Sequence, residues 1–128
     1  MENLRFKFRV VYYNDVEKKY FIFEPDLISA DGTARAYAYG ESGADEYYDT
    51  VTLNQCTGLK DKNGKLIYEG DIIKDLIVPE YPYIVEWFKG AFKLKSTVSN
   101  SYLKFDTTQQ EVIGNIYENP ELLKEKDQ

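Results

Sequence analysis

The chain has 128 residues, of which 43% are apolar and 16% aromatic, enough to exclude intrinsic disorder over most of its length and to support a core. Its 22 acidic and 16 basic side chains leave a net charge of −6, which argues against nucleic-acid affinity driven by bulk charge. Histidine is absent and Cys56 is the single cysteine, so Ser–His and Cys–His nucleophile pairs, imidazole metal sites, internal disulfides and cysteine metal clusters are excluded.

Twelve tyrosines and seven phenylalanines favour sheet over a helix bundle. The first strand is expected at Leu4–Val10, where Leu4, Phe6, Phe8 and Val10 alternate with Arg5, Lys7 and Arg9. Its basic face reads as solvated or paired with acidic neighbours. Asn14–Lys19 is a polar turn, and Tyr20–Phe23 returns to close a hairpin. Glu24-Pro25-Asp26 breaks the pairing, Asp31-Gly32 signals a turn, and Ala34–Tyr39 is a weak strand. Gly40–Glu46 is the most loop-like stretch, and Tyr37, Tyr39, Tyr47 and Tyr48 around it suit an interface, because tyrosine anchors contacts at low entropic cost.

The centre of the chain, Gln55–Lys74, reads QCTGLKDKNGKLIYEGDIIK. Cys56 precedes a Thr57-Gly58 turn and reads as a small, half-buried residue. Asn63-Gly64 predicts a two-residue hairpin turn of the mirror-image type, with Leu66-Ile67-Tyr68 returning. Glu69-Gly70-Asp71 is a second break, and Ile72–Val78 follows as a largely buried strand bounded by Pro79. Asp61-x-Asn63-Gly64 is a fragment of a calcium-loop pattern, but aligning Gly64 with the loop glycine puts Leu59 and Gly70 at required ligand positions, and both fail.

Tyr83–Phe88, a Lys89-Gly90 turn and Ala91–Lys95 form a further hairpin, with Phe92 and Leu94 on its dry face and Lys93 and Lys95 on its wet one. Tyr102–Phe105 is a short strand or helical turn, and Glu111–Tyr117 is the last strand. Asn119-Pro120 starts a short helix, with asparagine as N-cap and proline at the first helical position.

The Gln55–Lys74 run resembles the signature of the YopX family, small proteins encoded mainly by bacteriophages and prophages. Lys7-Phe8-Arg9 is similar to that family's opening strand, and Glu111–Leu122, EVIGNIYENPEL, to its closing motif. Val10–Asp15 departs from the shorter segment usual there. The resemblance implies an α+β, mainly β protein in which an N-terminal β-hairpin region precedes an SH3-like small β-barrel with a short C-terminal helix. It also implies the possibility of self-association, and it carries over no catalytic residues. Residues 1–54 are then a β-rich subdomain and 55–128 the barrel with its helix. The motif positions Gly58, Asp61, Gly64, Tyr68, Glu69, Gly70, Asp71, Gly114 and Asn115 read as structural.

Asp61, Glu69, Asp71 and Asp75 are spaced closely enough to pair as catalytic carboxylates, but Glu69 and Asp71 flank a turn, where acidic side chains accept backbone hydrogen bonds. Tyr81, Tyr83, Trp87, Phe88 and Phe92 offer a stacking platform, of which alternation puts half in the core. The first reading is therefore a non-enzymatic module that binds a host or phage protein or its own copies. It requires no cofactor or metal. The second is a nucleic-acid-associated protein using those aromatics with Arg5, Lys7, Arg9, Lys93 and Lys95, and the third is a carboxylate-dependent enzyme. The N-terminal stretch has no apolar signal region and no segment reaches the length of a membrane span, so the expected location is the cytoplasm of a bacterial host.

Overall fold

A computed structural model of the chain describes residues 8–14, 16–24, 27–28, 34–35, 37–39, 45–47 and 52–123. It is mainly β, and the chain divides into two compact units, Phe8–Gln55 and the chain from Cys56 onward.

In the first unit, β1 (Phe8–Asn14) and β2 (Lys19–Phe23) form the expected antiparallel hairpin, with Tyr13 opposite Tyr20 and their rings 4.9 Å apart, edge to face. The Asn14 side-chain oxygen accepts the Val16 and Glu17 N–H groups and so shapes the turn. β3 (Leu27–Ile28) pairs with β4 (Ala34–Arg35), and β5 (Tyr37–Tyr39) with β6 (Asp45–Tyr47). The weak strand expected at Ala34–Tyr39 is thus two short ones. β7 (Thr52–Lys60) pairs with β1 as far as Gln55 opposite Phe8. Two expectations fail on β1. Val10 and Val11 are both buried, so the strand has no wet face there, and Arg9 is buried too, its Nε donating to Asn54 Oδ1 at 3.1 Å. Residues 1–7, including Leu4, Arg5, Phe6 and Lys7, and the loop 40–44 lie outside the described residues.

In the second unit, β7 continues beyond Cys56 and pairs with β8 (Leu66–Tyr68), Cys56 lying opposite Tyr68 and Lys60 opposite Leu66. The surplus of residues on β7 is absorbed by an irregularity rather than by the turn expected at Thr57-Gly58. Thr57 Oγ1 donates to the Ile67 carbonyl and accepts the Leu59 N–H, so the strand bulges without parting. Cys56 is fully buried, not half-buried.

β9 (Asp71–Asp75), β10 (Tyr83–Phe88), β11 (Ala91–Ser96), β12 (Tyr102–Leu103) and β13 (Gln110–Asn115) form a five-stranded antiparallel sheet of order β12-β11-β10-β9-β13. The last strand returns beside the first, with a bulge between Val112 and Gly114. Ile67, Ile73, Val85 and Leu94 make the core, and Tyr83, Phe92, Leu103, Phe105 and Val112 pack around them. Each buried aliphatic side chain contributes about 1.5–3 kcal/mol.

The strand expected at Ile72–Val78 stops at Asp75. Asp75 Oδ1 accepts the Ile77 and Val78 N–H groups at 2.8 and 2.9 Å, bending the chain into a turn that leaves Leu76, Ile77 and Val78 exposed. At the C-terminal end, Pro120–Leu123 is a 3-10 turn rather than an α-helix among the described residues. Asn119 does not cap it. Its Oδ1 instead accepts the Asn115 N–H at 3.1 Å, which removes the side chain from its expected partner.

The mirror-image two-residue turn expected at Asn63-Gly64 does not form there. Gly64 donates to the Asp61 carbonyl and has φ +83°, while Asn63 keeps a negative φ; the turn is a three-residue loop ending in a left-handed glycine. A Cβ at Gly64 would meet nothing within 4 Å, so glycine serves the dihedral alone. The mirror-image two-residue turn occurs at Lys89-Gly90, with φ +49° and +85°, between Phe88 and its partner Ala91. Lysine there carries a left-handed backbone cost of roughly 1 kcal/mol that glycine or asparagine reduces. Lys89→Gly is therefore expected to stabilise the protein by about 0.5–1 kcal/mol in denaturant unfolding, and a loss of stability would refute this reading of the turn.

Candidate functional site

Asp61 sits at the mouth of the β7–β8 hairpin and is 6% exposed. Its Oδ1 accepts the N–H groups of Asn63 and Lys65, both at 2.9 Å, and its Oδ2 accepts that of Val112 at 2.8 Å. One carboxylate thus folds its own turn and ties that turn to β13. The Lys62 N–H adds a bond to the Gln110 carbonyl at 3.0 Å. Burial works to raise the Asp61 pKa, but the bonds from Val112, Lys65 and Asn63 and the charge of Lys65 outweigh it, leaving the acid below its ordinary value.

Asp75 repeats the arrangement on the opposite side of β13. While Oδ1 holds the Ile77–Val78 turn, Oδ2 accepts Gln110 Nε2 at 3.0 Å. Gln110 is fully buried; the same nitrogen donates to the Lys104 carbonyl and its Oε1 accepts the Asp106 N–H. Burial again opposes ionisation of Asp75, and the Gln110 amide with the Val78 and Ile77 N–H groups reverses it. Asp71 is 2% exposed, and its Oδ2 accepts the Tyr68 N–H at 2.8 Å. Glu69 lies beside it, partly buried, and Gly70 links the N–H side to the Val85 carbonyl and its own carbonyl to the Ile116 N–H.

The closing motif has the same character. Asn115 Oδ1 accepts the Tyr117 and Glu118 N–H groups, and its Nδ2 donates to Glu118. A Cβ at Gly114 would lie 2.5 Å from Asn119 Oδ1, so glycine is required for Asn119 to cross the strand and reach the Asn115 N–H. Of the carboxylates considered for catalysis, Asp61, Asp71 and Asp75 are buried and bind backbone N–H groups. Oxygens held by backbone N–H groups, and in Asp61 and Asp75 a lowered pKa, suit hydrogen-bond acceptors rather than proton donors. Among the described residues no three acids or thiols cluster in a metal-holding group.

Two surfaces of the second unit remain chemically distinctive. One is the Leu76–Tyr81 loop, in which Ile77 is 70% exposed and Leu76, Val78 and Tyr81 are also exposed. Its base is held by Asp75 and by the Leu76 N–H donating to the Gln109 carbonyl at 2.8 Å. The other is the outer face of β10–β12. Phe88 and Tyr102 stack there at 5.3 Å with 26° between planes, and Lys89, Lys93 and Lys95 lie 5.2–5.5 Å from these rings. Beside it a groove of about 600 Å³ is lined by Ile84, Lys95, the Ser96–Asn100 loop and Leu123. On the opposite face Tyr83 and Phe92 pack on the core, and Trp87, edge to face with Phe92 at 4.8 Å, is 52% exposed.

The structure places the expected interface tyrosines only in part. Tyr37 lies opposite Tyr47 and Tyr39 opposite Asp45 in the β5–β6 register, and Tyr48 lies outside the described residues. The basic set is divided: Lys93 and Lys95 share a face, Arg9 is buried, and Arg5 and Lys7 lie outside the described residues. Gln110 escaped the sequence reading, since a single glutamine carries no pattern; the acidic residue two places before a turn was the available signal for Asp75.

A family model described as YopX protein matches residues 7–124. The crystal structure of protein EF1440 from Enterococcus faecalis superposes with a TM-score of 0.58 at 29% identity, covering 92% of this chain and 97% of that one. No curated protein matches. No helix among the described residues is long and apolar enough to cross a membrane.

Asp61→Asn keeps one oxygen and replaces the other with an amide donor, so at least one of the three N–H groups loses its acceptor. The substitution is expected to cost about 2 kcal/mol in denaturant unfolding, and wild-type stability would rule out the carboxylate as the tie. Acidification tests both acids together. Their folded pKa values are lowered, so the stability they add is present above the ordinary carboxylate range and is lost as pH falls through the folded values. Stability should hold from pH 7 to about 5 and decline below about 4, and the decline should shrink in Asp61→Asn, Asp75→Asn.

Proposed function

The chain belongs to the YopX family, and from that premise we propose that it is a non-enzymatic, protein-binding module of bacteriophage or prophage origin, acting in the bacterial cytoplasm on a host or phage protein or on copies of itself. The single observation that carries this reading is the Leu76–Tyr81 loop. Apolar side chains of the loop face water on a base held by the Asp75 hydrogen bonds, and an apolar projection held in place loses little entropy when a partner covers it. The return of β13 beside β9 supports describing the five-stranded sheet as an SH3-like barrel, whose β9–β10 connection would present the docking residues. Engagement of Asp61, Asp71 and Asp75 by backbone N–H groups favours binding over acid–base chemistry.

The test is a tagged pull-down from the bacterial host after nuclease treatment, comparing wild type with Ile77→Asp. Ile77 is exposed, so the variant should fold normally, and a partner recovered by wild type is expected to fall at least about tenfold in the variant. Equal recovery by both would remove the loop from the interface, and loss of all recovery after nuclease would overturn the protein-partner reading.

A further inference from the structure

We propose that the outer face of β10–β12 is a binding site for a single strand of nucleic acid, separate from the apolar loop and its protein partner. Strand periodicity builds this face. Phe88 and Glu86 alternate with the core residue Val85 and with Trp87 on the opposite face of β10, Lys93 and Lys95 alternate with Phe92 and Leu94 on β11, and Tyr102 pairs with Lys95 from β12. The result is a ring pair between ammonium groups. Lys93 Nζ lies 5.4 Å from the Phe88 ring and 5.5 Å from the Tyr102 ring, Lys95 Nζ 5.4 Å from Tyr102, and Lys89 Nζ 5.2 Å from Phe88.

The charge on this face is positive in a protein whose total is −6. Lys95 Nζ donates to the Ser99 carbonyl at 2.8 Å and Asn100 Oδ1 at 3.3 Å, both neutral, so its charge is not cancelled. Glu86 is the carboxylate these contacts bring onto the face; it accepts the Tyr102 hydroxyl at 3.2 Å and thereby fixes the ring. Three lysines against one carboxylate leave a local excess suited to phosphates, which salt would screen.

The partly exposed Phe88 and Tyr102 rings decide among anions. A duplex keeps its base faces stacked inside, and an acidic peptide offers carboxylates to the lysines without planar groups for the rings. A single strand supplies both, because every base has a π-face and every linkage a charge. The six residues of β11 span roughly 17–20 Å, and the track continues past Lys95 into the groove of about 600 Å³, where the exposed Ser99 and Asn100 offer polar groups to sugars and base edges.

The test measures fluorescence anisotropy of a labelled oligothymidylate of about 12 nucleotides with the full chain over increasing salt. Binding is expected at low salt, with a log–log slope of about −2 from three lysine–phosphate contacts. Tyr102→Ala and Phe88→Ala should each weaken binding about tenfold, Tyr102→Phe should retain it, and Lys93→Gln should reduce the slope by about 0.7. A duplex of the same length should bind more weakly. Thermal unfolding checks each variant; should Phe88→Ala fail to fold, Lys93→Gln and Lys95→Gln carry the test on side chains outside the core. No binding at low salt, binding indifferent to the ring and lysine substitutions, or equal binding of polyglutamate independent of the rings would overturn the proposal, the last assigning the face to an acidic peptide. The Ile77→Asp variant should bind the oligonucleotide as wild type does, which keeps the two sites distinguishable.

Discussion

Three backbone N–H groups on the Asp61 carboxylate tie the β7–β8 turn of the second unit to β13. Two come from the turn that Asp61 itself opens, and the third comes from Val112, on a strand 51 residues away in sequence. A neutral side chain of similar size cannot accept at all three positions with the same strength. Hydrogen bonds to a charged acceptor contribute about 1.5–3 kcal/mol, and a buried donor left without one costs a similar amount. The hairpin, β13 and the pairing of β13 with β9 therefore stand or fall together.

That constraint also settles what becomes of the sheet edge. β13 is the last strand of the order β12-β11-β10-β9-β13 and would otherwise offer its outer backbone groups for pairing. Val112 N–H is occupied by Asp61, the Gln110 carbonyl by Lys62, and the Asn115 N–H by Asn119. Gly114 permits the last of these by leaving space for the Asn119 side chain. The central and closing motifs are thus two halves of one edge clamp.

Asp61, Asp71 and Asp75 are committed to structure, and two surfaces of the second unit stand out beside them. The apolar Leu76–Tyr81 loop and the lysine–aromatic face of β10–β12 differ in chemistry and in the partner each would select. The same Asp75 that stabilises the fold shapes the first, and ordinary strand alternation produces the second. Membership of the YopX family over residues 7–124 and the likeness to the Enterococcus faecalis protein span nearly the whole chain.

Local rules made much of this legible in the sequence. Alternation gave the β10–β11 hairpin and its wet and dry faces, the polar Asn14–Lys19 segment gave the first turn, and the missing histidine removed whole classes of chemistry before any coordinates were needed. What alternation and turn chemistry could not reach were outcomes decided by which partner the fold brings to each polar side chain. Arg9 looked solvated and is buried because Asn54 supplies its acceptor. Ile77 and Val78 looked like core because they are β-branched, yet Asp75, fixed by Gln110, turns the chain outward before them. Asn119 looked like a helix cap and instead crosses Gly114 to close β13. Sequence by itself determined where most strands would lie and that histidine-dependent and disulfide chemistry was excluded, since both follow from the residues themselves. Only the tertiary structure decided which polar side chains would be buried, because a buried polar group persists only where the fold delivers its partner.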